Sequence, residues 1–328
     1  MNQIINYKIS HYLRHETNDI LWTGSAHNQN TIKMAFWNTG LYPPSSKARA
    51  KNISEEKLLH AWLIIEHFLI TLKMDFFALC EISEPYIENL ENILSPKGYK
   101  ISRSTASDKN LIQDNALIYN SKIFQLIDKK DIINPHYSGR LKVATLYQIQ
   151  LTDGDLFNIY VCHWPSRLSR EENWLGRDDL GVTMRAEIDL LMQKEGPCTK
   201  IIVMGDFNDE PFNEPIADKL MASRDMGLVI ANRRFLYNPF WRKLGGIKSY
   251  NKDCLTGIPY GTYFYKNAKG NTKWHTFDQI IFSSSFVAKS KWHLREEDTV
   301  IHDEILNHVI VGKGIFDHLP ISAIIEKE

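Results

Sequence analysis

The stretch "IIVMGDFNDEP", residues 201–211, limits what this chain can fold into more than any other segment. Its branched apolar run reads as a strand buried on both faces, and Gly205 permits a sharp exit from it. The exit carries Asp206, Asn208 and Asp209, with the first two on one side. Asp and Asn also close turns by bonding their own backbone, so the stretch alone reads equally as a turn or as a site.

The pattern recurs along the chain. "IKMAFW" (32–37), "DFFALCE" (75–81), "NALIYN" (115–120), "VATLYQIQL" (143–151), "LFNIYVCHW" (156–164), "KIIVMG" (200–205), "GTYFYK" (261–266), "FDQIIFS" (277–283) and "PISAII" (320–325) read as strands. One predicted helix starts at the cap Ser54, sets Glu55 and Glu56 at its positive end, and repeats Leu58, Trp62, Ile65, Leu69 and Leu72. A second carries Met184, Ile188 and Leu191 on one face. Without linkers, repeats or low-complexity tracts, this alternation predicts a single α/β domain over residues 31–328. Residues 1–30 form an N-terminal extension of unassigned role.

Polar residues interrupt six of these strands at one tip: Asn38, Glu81, His163, Asp206, Asp278, and Asp317 with His318. Each has a structural reading by itself. Glu81 could cap a helix near Ser83, His163 could be a bonded core histidine, and Asp317 could close a turn. Together they are the residue types that bind a hard cation and move protons, at the strand ends where α/β proteins gather ligands.

Charge narrows the partner classes only slightly. The chain carries 39 basic and 39 acidic residues, so an anionic partner must be held by a local patch or a metal and not by a global field. The first twenty residues build no signal-peptide core, and no run of eighteen apolar residues occurs, so the sequence predicts a soluble, cytoplasmic protein without a membrane partner. Cys80, Cys162, Cys198 and Cys254 lack the spacing of disulfides or zinc sites.

In this set and order the motifs resemble the endonuclease/exonuclease/phosphatase superfamily: "FWNTGL", "ALCEIS", "CHWPSR", "GDFNDEP", "TFDQIIFS" and "FDHLPI". The resemblance spans about residues 32–325, and "HWPSR" with "GTYFYK" is most similar to a bacterial DNase I-like nuclease branch. It implies a DNase I-like four-layer α/β sandwich, two packed mixed sheets flanked by helices, and an Mg²⁺- or Mn²⁺-dependent phosphodiester hydrolase acting on DNA or RNA. By the same resemblance Glu81 is the main metal ligand, with Asn38 and Asp317 near it. Asp206 orients or deprotonates the attacking water, Asn208 helps bind the scissile group, Asp278 fixes the tautomer of His318, and His163 and His318 serve the phosphate as donors or acids. The chemistry agrees, since an anionic diester repels hydroxide and needs a cation and a base. Oxygen donors suit Mg²⁺ or Mn²⁺ and not zinc.

Other readings stay open. A phosphodiesterase or phosphatase acting on a small nucleotide or a lipid head group is one, and an inactive binding or regulatory subunit with this fold is another. The inositol-phosphatase branch carries a Trp-Cys-Asp-Arg-like signature where this chain has "HTFDQIIF". Arg167, and less directly Arg140, are candidates to grip a phosphate oxygen. The segment "ANRRFLYNPFWRKLGG" (231–246) interleaves Arg233, Arg234, Arg242 and Lys243 with aromatics including Trp241 and is expected to cross the active face. That mixture suits phosphate contacts and base stacking, or a loop pinned by a satellite hydrophobic cluster.

Overall fold

The computed structural model describes residues 30–41, 53–82, 84–104, 107–108, 111–112, 114–136, 139–167, 176–245, 259–267, 271–305 and 315–328. Apart from Asn30, residues 1–30, expected to form an N-terminal extension, lie outside them. Besides the small pair Ser107–Asp108 and Leu111–Ile112, the strands in chain order are β1 (Thr31–Asn38), β2 (Phe76–Cys80), β3 (Tyr99–Arg103), β4 (Ala116–Asn120), β5 (Phe124–His136), β6 (Gly139–Leu151), β7 (Leu156–His163), β8 (Ile201–Asp206), β9 (Ala222–Ser223), β10 (Leu236–Tyr237), β11 (Tyr263–Phe264), β12 (Trp274–His275), β13 (Asp278–Ser283), β14 (Trp292–Ile301) and β15 (Ile321–Lys327). The helices are α1 (Glu55–Glu66), α2 (Glu84–Leu94), α3 (Gly176–Glu195) and the short α4 (Met226–Ala231).

Two mixed sheets carry the fold. One runs β14-β15-β1-β2-β4-β3 and the other β9-β10-β13-β8-β7-β6-β5, with β1 parallel to β2 and β7 parallel to β8. Side-chain alternation packs them together. Ile159 and Val161 of β7, Ile202 and Met204 of β8, and Ile280 and Phe282 of β13 enter the core shared with the first sheet. Their neighbours Tyr160, Cys162, Ile201, Val203 and Ile281 face the other way, against Leu180, Met184 and Ile188 of α3. Helices α1 and α2 cover the first sheet through Trp62, Ile65, Ile87 and Leu90, which completes the expected four layers. Each Ile or Phe so buried contributes roughly 1.5–3 kcal/mol, and together they fix where the polar strand tips emerge.

Gly205 has a different reason from the one its sequence suggested. A Cβ there would stand 2.2 Å from the carbonyl oxygen of Cys162, so the glycine lets β7 and β8 approach closely. Helix α1 starts as predicted, with Ser54 Oγ accepting from Lys57 N at 3.1 Å, but relaxes into a wider π turn over His67–Thr71.

The strands β3, β5 and β14 have no counterpart in the sequence reading, and all three are sheet edges. Edge strands carry charge and exposed faces that discourage further pairing. "LIDKKD" in β5 and "REED" in β14 therefore hide the periodicity of a half-buried strand. The predicted strand at 261–266 shortens to β11, which pairs with β12 and makes a single bridge from Tyr263 to His318. No helix among the described residues is long and apolar enough to cross a membrane.

Candidate active site

Register assembles the site. Asp206, at the end of β8, sits directly between His163 of β7 and Asp278 of β13. All three continue the inward-facing alternation of their strands, so they cluster where the inter-sheet core gives out. The first sheet contributes Asn38, whose Nδ2 donates to Asp206 Oδ2 at 3.0 Å and Glu81 Oε1 at 3.2 Å. Its amide oxygen accepts from Gly40 N at 3.1 Å.

Two site residues sit in the left-handed backbone region, Glu81 at φ 52° and Asn208 at φ 51°. That region costs a non-glycine residue roughly 1–2 kcal/mol, so neighbouring contacts must hold each in place. Thr39 Oγ1 donates to the carbonyl of Glu81 at 2.9 Å. Asn208 N donates to Asp206 Oδ1 at 2.9 Å, and Asn208 Nδ2 to the carbonyl of Trp164 at 3.0 Å.

Two imidazole–carboxylate pairs flank Asp206. His318 Nδ1 bonds Asp278 Oδ2 at 2.8 Å and turns Nε2 toward Asp206 Oδ2 at 3.7 Å. His163 Nδ1 bonds Asp114 Oδ2 at 2.9 Å and turns Nε2 toward Glu81 Oε1 at 3.5 Å. Burial opposes charge on both rings, yet the surrounding carboxylates prevail: His318 rises to about 10, chiefly through Asp278 and Asp206, and His163 rises well above its usual value, chiefly through Asp114. For Asp206, burial first and Asp278 second push the carboxyl up to about 6, against the pull of His318. Burial also works against Glu81, but its bonds to His163 and Asn38 hold it at about 2.

Asp114 is the partner that sequence reading missed, although "DNALIY" shows the same signal of a carboxylate abutting a strand. Lys142 Nζ bonds it at 2.7 Å. Lys57 was also unforeseen. A Cβ on Gly40 would lie 2.9 Å from Lys57 Nζ and 3.9 Å from Asp317 Oδ1, so this ammonium stands beside the exposed Asp317. Desolvation lowers its pKa, and Asp317 and Glu81 oppose the shift.

Oxygen donors dominate the Glu81, Asn38 and Asp317 side, which fits a hard divalent cation. A second set, Asp206, Asp278 and His318, has ligand atoms within 4.8 Å of one another. One Asp278 oxygen there is already given to His318.

Arg167 does not project into this cluster. Its Nε donates to the carbonyl of Asn208 at 2.8 Å, its Nη2 bonds Asp209 Oδ1 at 3.1 Å, and its guanidinium lies over the Phe277 ring. Buried Arg177 completes the brace, bonding Asp209 Oδ2 and the carbonyls of Phe207 and Asn208. Both arginines therefore hold the loop that carries Asn208. Arg140, in β6, stands opposite Pro135 of β5, and its side chain lies outside the described residues.

The 231–246 segment is not one basic patch. Arg233 donates to Cys198 Sγ and Arg234 pairs with Asp189, both near the start of β8. That strand separates them from Asp206 by roughly 17 Å. Arg242 pairs with Glu296, and the Trp241 ring stacks under Arg224. Lys243, whose carbonyl accepts from Thr276 Oγ1, returns toward the active end, as does Asn238, whose Nδ2 donates to Gln279 Oε1.

The family model described as the endonuclease/exonuclease/phosphatase family matches residues 40–320. The chain belongs to that family. It is therefore a phosphoesterase of the DNase I-like superfamily. No curated protein matches it in sequence. Among solved structures, the catalytic domain of human nocturnin with bound sulfate is similar at TM-score 0.60 and 17% identity, covering 93% of this chain and 96% of that one. The mannosyl-6-phosphatase Bt3783 of Bacteroides thetaiotaomicron VPI-5482 is similar at TM-score 0.57 and 15% identity, covering 89% and 98%. D. rerio TDP2 complexed with a single-strand DNA product is similar at TM-score 0.54 and 14% identity, covering 90% and 99%. At these identities the family likeness is one of fold.

Proposed function

We propose that the chain is a metal-dependent phosphodiesterase acting on nucleic acid. The observation that carries the reading is the Asp206 carboxylate, raised to about 6, facing an imidazole that Asp278 holds in its charged form. A base works best when its pKa lies near the working pH, and a charged donor works best aimed where phosphoryl charge grows. Asp206 orients and deprotonates the attacking water. His318 Nε2, and His163 Nε2 on the opposite side, donate to the non-bridging oxygens. Asn208 sits one turn beyond Asp206 to fix the phosphate, and Arg167 and Arg177 keep its backbone in place.

Glu81 and Asp317, with Asn38 bridging Glu81 to Asp206, hold Mg²⁺ or Mn²⁺ in this reading; when bound, the cation neutralises charge on the phosphoryl oxygens. Lys57 offsets the negative charge on that side. Support for nucleic acid comes from the TDP2 relative with its single-strand DNA product, and the mannosyl-6-phosphatase relative supplies the competing substrate class.

The test is incubation of purified protein with labelled single-stranded and duplex DNA and RNA in Mg²⁺, Mn²⁺ or EDTA. Metal-dependent strand cleavage is expected. Hydrolysis of a sugar phosphate with every strand left intact overturns the nucleic-acid reading.

A further inference from the structure

The β11–β12 ladder places four rings on one face, and one of them touches the catalytic cluster. Tyr263 pairs with His275 in register, so the residues two positions along, Tyr265 and Phe277, share their side of the ladder. The planes nearly align: Tyr263 and Tyr265 differ by 11° with centroids 6.4 Å apart, and Tyr263 and Phe277 by 19° at 5.4 Å. Tyr263 also meets the His318 ring, with centroids 4.5 Å apart. Phe277 is covered by the Arg167 guanidinium, 4.9 Å from its centroid.

This is not simply core. Phe277 is buried, at 3% exposure, whereas Tyr263, Tyr265 and His275 are only half-buried. The ladder is also rigidly placed. Phe264 N donates to the carbonyl of Asp317 at 2.8 Å, and Leu319 N to the carbonyl of Thr262 at 2.7 Å. Glu210, from the loop after β8, bonds both His275 Nδ1 and Thr276 N at 3.0 Å. A half-open aromatic row anchored on both sides of His318 suits a flat ligand group held one step from the scissile phosphate.

We propose that Tyr263 and Tyr265 form a stacking platform for an unpaired nucleobase next to the scissile phosphate, which makes single-stranded nucleic acid the preferred substrate class. The proposal rests on the nucleic-acid reading above and adds a base-binding subsite to it. A paired base presents its face to its own stack and cannot reach the platform, so a duplex loses this contact. The phosphates alone do not supply it, so a strand without bases loses it too.

The experiment compares kcat and KM in Mg²⁺ for a thymidine octanucleotide and for an abasic octanucleotide with the same phosphates, using wild type, Tyr265→Ala and Tyr265→Trp. Stacking predicts that wild type cleaves the base-bearing strand with a KM about tenfold or more below that for the abasic strand. Tyr265→Ala should bring the two KM values together with kcat changed far less, and Tyr265→Trp should restore the gap. Equal kcat/KM for the two strands in wild type overturns the platform and leaves the nuclease reading standing, and this arm needs no variant to fold. Cleavage of neither strand overturns the nuclease reading and the platform with it.

Discussion

The two imidazole–carboxylate pairs flank the same Asp206, yet they differ in what stands behind the acid. Asp114, which orients His163, also receives Lys142 Nζ at 2.7 Å, so a second cation shares its charge. Asp278 has no such support. It faces Asp206 in register, and its Oδ1 is buried without a hydrogen-bond partner among the described residues. An orphaned buried oxygen costs roughly 1–3 kcal/mol, and here it lies on the residue directly opposite the Asp206 carboxylate. The contrast separates two jobs. The Asp114–His163–Lys142 group is balanced and positions a ring, while Asp278–His318 sits in a negative pocket that keeps a proton on the ring at neutral pH.

Breaking the unsupported pair should have the largest effect. Asp278→Asn removes both the tautomer lock and the charge partner of His318, so turnover should fall about 10³-fold or more with KM changed far less. Steady-state kinetics on a labelled strand reads this directly, and a loss confined to KM would remove His318 from the proton chemistry. Asp114→Asn should cost less, about 10–100-fold, because it misorients a ring without touching Asp206. A drop as deep as that of Asp278→Asn would erase the distinction between the pairs.

Protonation sharpens the same comparison. Both rings have pKa values raised on folding, so the folded chain binds protons that the unfolded chain has released. Their stabilisation is complete below about pH 6.5. For His318 it is lost as pH climbs through its folded value of about 10. In EDTA, urea unfolding at pH 6, 8 and 10 should show falling stability, by about 1 kcal/mol or more. His318→Asn should flatten that slope, and a variant as pH-sensitive as wild type would place the titration elsewhere. The smallest effect belongs to Arg233→Ser with Arg234→Ser. These residues lie at the far end of β8, so KM and its dependence on salt should stay unchanged. A flattened salt dependence would bring nucleic acid to that pole.

How much of this was legible in sequence depended on burial. Central strands such as β8 announce themselves because both faces are apolar, and their polar tips stand out against that background. The edge strands β3, β5 and β14 did not, because charges that guard an edge look like loop. Within the site, Asp206, Asp278, His318, Glu81 and Asn38 were visible as interruptions, and the structure brings them together. Asp114 carried the same signal at the start of a strand rather than its end. Lys57 and Tyr263 gave none, since a lysine in the first turn of a helix and a tyrosine in a short ladder have ordinary local reasons to be there. Arg233 and Arg234 misled because linear position between two site strands was taken for spatial position. A segment that leaves β8, pairs beside β13 and returns covers both poles of the sheet.

The most direct test of the metal-dependent site is the Mg²⁺ dependence of single-strand DNA hydrolysis, compared between wild type and Glu81→Gln. The substitution keeps the volume and removes one charged oxygen donor beside Asn38. Wild type should cleave in Mg²⁺ and stop in EDTA, and Glu81→Gln should need about 10–100-fold more Mg²⁺ to reach half its maximal rate. Full-rate hydrolysis in EDTA, or a Glu81→Gln curve superimposed on that of wild type at limiting Mg²⁺, would contradict the account.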